Sequence, residues 1–260
     1  MTMPPTSFVR LSTDQFAERD RIEAAREIIG RSLMKMEFEL LPDVPFNVDM
    51  VFRALPDFAM ASGICSAMDC LRTPELIESN GLILTVALSG GAILHVRGEE
   101  IQMGGGMAAL TRTADVSRCA IHSTSEFVNF RFPFDKISPL IADLDAAVMR
   151  PIPVNTEALR LLVHYASMLK DSDMLATPEV QNLVSTHLHD LAALTIGATR
   201  DAAIVAVFLR RVCGRSRPTS SKISPTVFFR SRQSLSAKAS RHVTSACCLR
   251  AMRRHFQNSY

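Results

Sequence analysis

The sequence predicts an α+β protein in which a small antiparallel β-barrel is followed by a helical hairpin and then by a poorly ordered basic C-terminal arm. Three observations lead to this fold class. Short apolar runs separated by glycines fill residues 82–113, which is the spacing of strands joined by tight turns. Amphipathic helical periodicity replaces strand alternation after Pro133. Acidic residues end at Asp201, after which the chain is rich in serine and arginine.

The region before residue 82 is predicted to hold one helix and three strands. Ser12 and Gln15 have the spacing of a capping box that begins a helix, and Gly30 is placed to end it. A turn is expected at Pro56-Asp57 and a loop over residues 66–81. Alternation of apolar and polar side chains predicts strands over residues 33–40, 46–52 and 58–65.

Residues 82–113 give the clearest strand pattern in the chain. Glycine adopts the positive φ angles that tight hairpins require, and glycines separate four apolar runs at 82–88, 92–96, 101–103 and 107–111. We therefore expect an antiparallel meander, in which consecutive strands pair in order, as part of a small barrel.

A further strand and a helical hairpin are predicted after the meander. Residues 127–132 alternate as a strand, and residues 135–144 fit a short helix. Asn155 is placed to cap a longer amphipathic helix, and Thr177-Pro178-Glu179 has the residue types of a second helix start. That second helix is expected to end at Gly197. Two such helices joined by a short loop form an antiparallel hairpin.

The second helix of this hairpin carries an apolar stripe formed by Val180, Val184, Leu188 and Leu191. We expect this stripe to form the contact of a homodimer. The same stripe could instead pack on the barrel of its own subunit, because periodicity alone does not distinguish the two kinds of burial.

The charges are divided sharply along the chain. Residues 1–201 carry 17 basic and 26 acidic side chains, a net charge of −9, whereas residues 202–260 carry 12 basic and no acidic side chains. An acidic body joined to a basic arm indicates a nucleic-acid partner for the arm.

The ends and the cysteines indicate a cytoplasmic location. Residues 1–14 lack the basic region and apolar core of a signal peptide, and no apolar run is long enough to cross a membrane. The six cysteines are therefore expected to stay reduced. Cys65 and Cys70 are five residues apart and Cys247 and Cys248 are adjacent, and neither spacing is a usual zinc pattern.

Catalytic and metal-ligating patterns are missing from the sequence. His95 and His122 lie on or near β segments, and each stands alone without a second histidine two residues away. His187 and His189 lie about 200° apart around a helix, so they cannot bind one ion together. Cys119 lies near His122 on a predicted strand without forming a nucleophile–base pair. We expect no metal and no cofactor, and a binding protein rather than an enzyme.

The order of these parts resembles the effector-binding and dimerisation half of AraC-type transcription regulators, in the branch with a cupin-like barrel. The likeness covers residues 8–202. Residues 55–58 resemble a strand-ending turn of that branch, and Gly104-Gly105-Gly106 stands where the family usually has Gly-Pro-Gly-Asp. Two segments resemble the barrel hairpin of that branch, residues 84–90 and 96–100. Two further segments resemble the end of its hairpin helix, residues 188–191 and 197–201.

The C-terminal arm departs from that family. Its regulators continue with two helix-turn-helix motifs, but only 58 residues follow Ala202. Residues 235–244 resemble a fragment of the first motif, and the likeness ends at Cys247. The acid-free composition of the arm, rich in serine, arginine and cysteine, resembles translation in a shifted reading frame. We expect residual DNA contacts from Arg241, His242 and Thr244 of this fragment and from three arginines beyond it, Arg250, Arg253 and Arg254.

Two functions are therefore expected. The resemblance implies an AraC-type regulator with an effector-binding and dimerisation domain over residues 8–201 and a degenerate helix-turn-helix remnant over residues 202–260. Its partners are an unidentified small-molecule effector, a second copy of the chain, and DNA bound weakly or without sequence preference, with no membrane contact. The alternative is a cupin-like small-molecule binding protein or enzyme that does not bind DNA.

Overall fold

The computed structural model describes residues 8–77, 81–153, 155–170, 175 and 177–197. Within these ranges, eleven strands form one six-stranded and one five-stranded sheet, and their pairings are antiparallel. The strands are β1 (Phe8–Ser12), β2 (Glu37–Leu40), β3 (Val48–Leu55), β4 (Phe58–Cys65), β5 (Met68–Arg72), β6 (Gly81–Ser89), β7 (Gly91–Val96), β8 (Glu99–Gly104), β9 (Ala108–Arg112), β10 (Ser117–Ile121) and β11 (Ser125–Pro133).

The two sheets share an apolar core. One sheet has the order β1-β3-β4-β11-β6-β9 and the other the order β2-β5-β10-β7-β8. Phe52 and Phe127 of the first sheet belong to the same buried cluster as Phe38, Met68 and Leu94 of the second. Two packed antiparallel sheets of this kind form a jelly roll, which confirms the predicted antiparallel β-body.

The glycine-rich region forms four strands, as predicted, but of these four only β7 and β8 pair as consecutive strands. β6 pairs with β9 and β11, whereas β7 pairs with β8 and β10. Only Gly90, with a φ of 72°, separates β6 from β7, although the two strands belong to different sheets. The predicted meander is therefore wrong, because a glycine specifies where the chain turns and not which strand becomes the partner.

The predicted helix start at Ser12 is replaced by a strand and a single turn. β1 runs to Ser12 and pairs with β3. The Ser12 hydroxyl accepts a hydrogen bond from the Asp14 backbone N–H at 3.3 Å, and it begins only the 3₁₀ turn Thr13–Gln15. Ser12 is an N-cap, as predicted, but the residues before it form a strand that pairs with β3.

The N-terminal helix also lies later than predicted. α1 (Arg21–Ala25) continues as the π-helical segment Arg26–Met34, so Gly30 lies inside the helix and does not end it. A Cβ at Gly30 would lie 2.6 Å from the Met36 carbonyl oxygen. The absence of a side chain therefore allows the returning chain to approach the helix closely.

Two strand predictions before residue 81 need correction. β2 is shorter than the predicted strand over residues 33–40, and the predicted loop over residues 66–81 contains β5, which lies between β2 and β10. The sequence pattern does not predict β5, because this strand carries the buried charged residues Asp69 and Arg72. The Asp69 carboxylate accepts a hydrogen bond from the Arg118 guanidinium on β10, so a strand can hold this charge.

The helices after the strands confirm the predicted hairpin. The segment predicted as one helix over residues 135–144 instead holds α2 (Phe134–Ile137) and the start of α3 (Leu144–Ala147). α4 spans Glu157–Leu169 and its N-cap is Thr156, one residue after the predicted Asn155. α5 spans Pro178–Ile196, and it begins at the predicted Thr177 cap and ends at the predicted Gly197, whose φ is 113°.

The helical hairpin forms a third layer on the six-stranded sheet. Leu84 of β6 and Phe130 of β11 lie in one buried cluster with Leu162 of α4 and Leu188 of α5. His189 of α5 also makes a 2.8 Å hydrogen bond to the carbonyl oxygen of Asp57, which lies between β3 and β4. The six-stranded sheet is consequently covered on both faces.

The expectations for residues 202–260 lie outside the described residues. They include the order of the arm and its resemblance to a helix-turn-helix motif. None of the helices in the described ranges is both long enough and apolar enough to cross a membrane.

Candidate functional site

A cavity of about 120 Å³ lies between the two sheets. Strands of both sheets contribute to its wall, and most of the lining side chains are apolar. An engineered cavity of about 150 Å³ holds benzene, so this somewhat smaller cavity limits a ligand to a small organic group. Its apolar lining includes Phe38, Met50, Phe52, Leu94, Ile121 and Phe127.

A polar group lies on the wall formed by the six-stranded sheet. Thr85 of β6 and Asn129 of β11 are directly opposite each other in the sheet. The Thr85 hydroxyl donates a hydrogen bond to the Asn129 side-chain oxygen at 2.8 Å. Arg131 lies two residues further along the same face of β11, and all three residues line the cavity. This wall can therefore orient the polar end of a bound molecule.

The opposite wall holds a second polar group. Arg72 of β5 is only 3% exposed, and its guanidinium donates to the Met34 carbonyl oxygen at 3.5 Å. Ser117 of β10 lies directly opposite Arg72 in the sheet, and both residues line the cavity. Polar groups on both walls of a mostly apolar cavity are typical of a small-molecule binding site.

Three cysteine thiols also line the cavity, namely Cys65, Cys70 and Cys119. Burial raises the pKa of Cys65 and of Cys119 to about 12, and it raises the pKa of Cys70 well above the ordinary value. Proximity to the other two thiols raises the pKa of Cys70 further. All three groups are therefore protonated at neutral pH.

The cavity residues Asn129 and Arg131 were not recognised from the sequence. Asn129 and Arg131 alternate along β11 with Phe130 and Phe132, which are fully buried against the helices. Alternation normally indicates one buried and one solvated face. Here both faces are covered, so the polar positions line an internal cavity. A sequence signal could have revealed them. The strand carries alternating polar residues, and the amphipathic helices predicted after it can cover one of its faces.

The predicted dimer residues do not share one environment. Val184 is 6% exposed and Leu188 is 0% exposed, and both lie in the core between α5 and the six-stranded sheet. Leu191 is half-buried and packs against the same core, whereas Val180 is 40% exposed. Val184 and Leu188 therefore pack within their own subunit, and the dimer contact of the stripe stays a prediction.

The histidines take separate positions, as helical and strand geometry predicted. His189 is buried against Asp57, whereas His187 on the outer side of α5 lies 3.5 Å from the Tyr165 hydroxyl. His95 lies 3.5 Å from the Glu100 carboxylate at the surface. In the described part of the chain, no three His, Cys, Asp or Glu side chains are placed to hold a metal ion.

The residues predicted to contact DNA, Arg241, His242, Thr244, Arg250, Arg253 and Arg254, lie outside the described residues. The basic arm remains a prediction.

Comparison with solved structures supports the same architecture. The AraC-like transcriptional activator CuxR superposes with a TM-score of 0.60 over 82% of each chain, at 14% sequence identity. This likeness confirms the predicted fold, a cupin-like body followed by a helical hairpin.

Two further solved structures match smaller parts of the chain. One is the Cupin_2 domain of an XRE family transcriptional regulator from Enterobacter cloacae, with a TM-score of 0.27 and 15% identity over 30% of this chain and 82% of that one. The other is an ethanolamine utilization protein from Salmonella typhimurium, with a TM-score of 0.29 and 12% identity over 33% of this chain and 69% of that one.

Sequence comparison gives the family. No curated protein sequence matches the chain significantly. The profile of the AraC-binding-like domain matches residues 25–197, which is more than half of the 260 residues and extends from α1 to the end of the hairpin. The chain therefore belongs to the AraC-binding-like domain family.

Proposed function

We propose that this protein is a transcription regulator of the AraC type. In this proposal, residues 8–201 bind a small-molecule effector and form a homodimer, and residues 202–260 are the remnant of a DNA-binding domain. The single observation that carries the proposal is the cavity between the two sheets, with its apolar lining and polar groups on both walls. A family of ligand-binding regulatory domains supplies the context for that cavity.

The lining favours a compact and largely apolar effector with one polar group. Phenylalanine and methionine side chains supply apolar contact area. The Thr85–Asn129 pair and the adjacent Arg131 supply a hydrogen-bond donor, an acceptor and a positive charge within one region of the wall. An arginine in such a position suits a carboxylate or another oxygen-rich group.

The six-stranded sheet lines the cavity with one face and contacts the hairpin with the other. On β6, Thr85 faces the cavity while its neighbour Leu84 packs in the helix-facing core. On β11, Asn129 likewise faces the cavity, and Phe130 packs in the helix-facing core. A ligand that moves either strand therefore also moves the surface on which α4 and α5 rest.

The proposed dimer contact is the outer face of the hairpin. Large apolar side chains remain exposed there, with Leu161 60% and Met168 65% exposed on α4, and Leu183 54% and Leu194 42% exposed on α5. Contiguous apolar side chains on a soluble protein are typical of an interaction surface. Val180 is the one member of the predicted stripe that is exposed enough to join this face.

A fragment screen by ligand-observed NMR tests the effector site. We expect single-ring compounds with a polar substituent to bind the full chain and to lose binding in Asn129→Leu, which removes the amide from the cavity wall. Asn182→Leu is the matched control, because Asn182 is exposed on α5. Equal binding to both variants would place the ligand elsewhere and remove the support for this function.

DNA binding separates the regulator from the alternative function. A cupin-like binding protein or enzyme could use the same cavity, but a ligand that fills it would not change the affinity of the full chain for DNA. A change in DNA affinity on adding a bound fragment, measured by fluorescence anisotropy with labelled DNA, is the result expected of a regulator.

A further inference from the structure

Two of the cavity thiols lie directly opposite each other on neighbouring strands. Cys70 of β5 and Cys119 of β10 are register partners in the five-stranded sheet, and both line the cavity. A single buried cysteine behaves as a small apolar residue. Two cysteines on the same face and in direct register form a pair that one bound atom can bridge.

The geometry of an antiparallel pair brings these sulfurs within reach of each other. Directly opposite residues have Cβ atoms about 4.5–5.5 Å apart. Their Cα atoms are separated by about 4.5 or 5.5 Å, within the range that even a disulfide can span. A small bridging atom between the two sulfurs therefore needs no movement of the strands.

The row of side chains across the sheet supplies an apolar setting for the pair. Phe38 of β2 lies directly opposite Cys70, and Leu94 of β7 lies directly opposite Cys119. Both of these residues also line the cavity. The pair thus lies between an aromatic and an aliphatic side chain, beside a space the size of a small organic group.

The third thiol has a different partner. The Cys65 S–H donates to the Ser125 carbonyl oxygen at 3.9 Å, and Cys65 ends β4 in the other sheet. A metal ion of the zinc type needs four ligands, with its cysteines as thiolates. Burial keeps these thiols protonated, because it raises the pKa of Cys70 and Cys119. The described residues also offer no group of three ligands for an ion.

These observations favour a ligand atom that needs only two sulfurs, reacts with neutral thiols and carries its own apolar group. We propose that Cys70 and Cys119 form a dithiol binding site for monosubstituted trivalent arsenic compounds. This inference names a class of ligand for the cavity of the proposed function. A regulatory role for that ligand rests on the proposed function.

The binding step is a condensation. In a compound R–As=O, the bonds between arsenic and oxygen break and two As–S bonds form, one to each cysteine. The two thiol protons leave with the oxygen as one water molecule. Arsenic remains trivalent, so the step needs no oxidant or reductant. The group R occupies the cavity beside Phe38 and Leu94.

Intact-mass spectrometry with phenylarsine oxide tests the site. Cys247 and Cys248 are adjacent in the arm and could capture the same probe. The starting protein is therefore the full chain with Cys213→Ser, Cys247→Ser and Cys248→Ser. We expect one adduct with the mass of phenylarsine oxide less one water, which dimercaprol reverses. Cys70→Ser and Cys119→Ser should each abolish it, whereas Cys65→Ser should retain it.

The outcomes separate this inference from the proposed function. Absence of the adduct from a starting protein with a native circular dichroism spectrum overturns the dithiol site, and so does an adduct that persists when Cys70 and Cys119 are both serine. An adduct lost in Cys65→Ser also overturns the assigned pair. Fragment binding by NMR is measured separately, and it can succeed while the adduct fails. If a serine variant loses its native spectrum, the corresponding alanine variant is used.

Discussion

At the scale of single residues, a buried hydroxyl at the end of one strand satisfies backbone groups at the start of another. Thr113, which follows β9 and is 2% exposed, illustrates this arrangement. Its hydroxyl accepts from the Gly81 N–H at 2.8 Å and donates to the Gly81 carbonyl oxygen at 3.2 Å. One side chain thereby satisfies both backbone groups at the start of β6.

Thr113→Val tests this role. Valine keeps the shape but leaves the Gly81 N–H without its hydroxyl acceptor, so we expect a loss of about 1–3 kcal/mol in the free energy of unfolding. Urea denaturation at neutral pH measures it. Thr186→Val is the control, because the Thr186 hydroxyl bonds only within α5 and the expected change is below about 0.5 kcal/mol. Equal losses in the two variants would contradict the prediction.

The buried thiols make stability depend on alkaline pH. Cys119 and Cys65 each have a pKa of about 12 in the folded protein, against about 8.5 for an unfolded cysteine. The unfolded chain therefore loses these protons first. This contribution to stability is complete below about pH 8.5 and declines as the pH rises towards the folded pKa.

Cys119→Ser should therefore weaken the decline in stability at alkaline pH. The urea midpoint of the wild type is expected to fall more steeply than that of the variant between about pH 8 and pH 10. Both are measured in a reducing buffer. Cys213→Ser, which changes a cysteine of the arm, is the control and should follow the wild type. Identical slopes for all three proteins would mean that burial does not hold the Cys119 proton.

At the scale of elements, α5 has two apolar faces with different partners. One face, including Leu188 with 0% exposure, packs on the six-stranded sheet. The other face leaves Leu183 and Leu194 exposed, and α4 also carries exposed leucine and methionine side chains. The apolar periodicity of the α5 sequence corresponds to the first face, because the apolar stripe on that face is the longer and more regular of the two.

The two faces predict opposite results for introduced charge. We expect the wild type to sediment as a dimer and the double variant Leu161→Glu, Leu183→Glu to sediment as a folded monomer. Leu188→Glu should instead unfold the chain, because burying an unpaired carboxylate costs several kcal/mol. Sedimentation velocity and circular dichroism distinguish these states. A double variant that remains dimeric would exclude the outer face of the hairpin as the interface.

At the scale of the whole molecule, the acidic body and the basic arm have opposite net charges. The arm carries 12 basic and no acidic side chains. Electrostatic contact with phosphates is independent of base sequence. Specific recognition needs a rigid element that presents a few side chains to the base edges. The sequence of the arm resembles only a fragment of a helix-turn-helix motif, so we expect the arm to lack such an element.

We therefore expect weak, sequence-tolerant DNA binding that is lost between about 50 and 200 mM salt, because each neutralised phosphate releases a condensed counterion. Fluorescence anisotropy with a random and a candidate operator duplex measures it. The control replaces Arg250, Arg253 and Arg254 with glutamine, which should reduce the salt slope. An operator affinity at least about a thousandfold above random DNA would show a working reader in the arm.

The sequence alone was sufficient for most elements of the fold class. The four glycine-separated runs formed strands, and Thr177 and Gly197 bounded α5 as predicted. These features are local, since a cap or a positive φ depends on neighbouring residues in the chain. The family likeness followed from the order of the same elements, and it also implied a ligand-binding body.

Only the tertiary structure decided the strand partners and the site. β6 and β7 separate into different sheets, and β5 is held by pairing on both sides in spite of Asp69 and Arg72. The Thr85–Asn129 pair and the opposed Cys70 and Cys119 come from positions more than 40 residues apart. Burial and strand register are long-range properties, and the alternation of side chains along one strand is the same whether it faces solvent, a helix or a cavity.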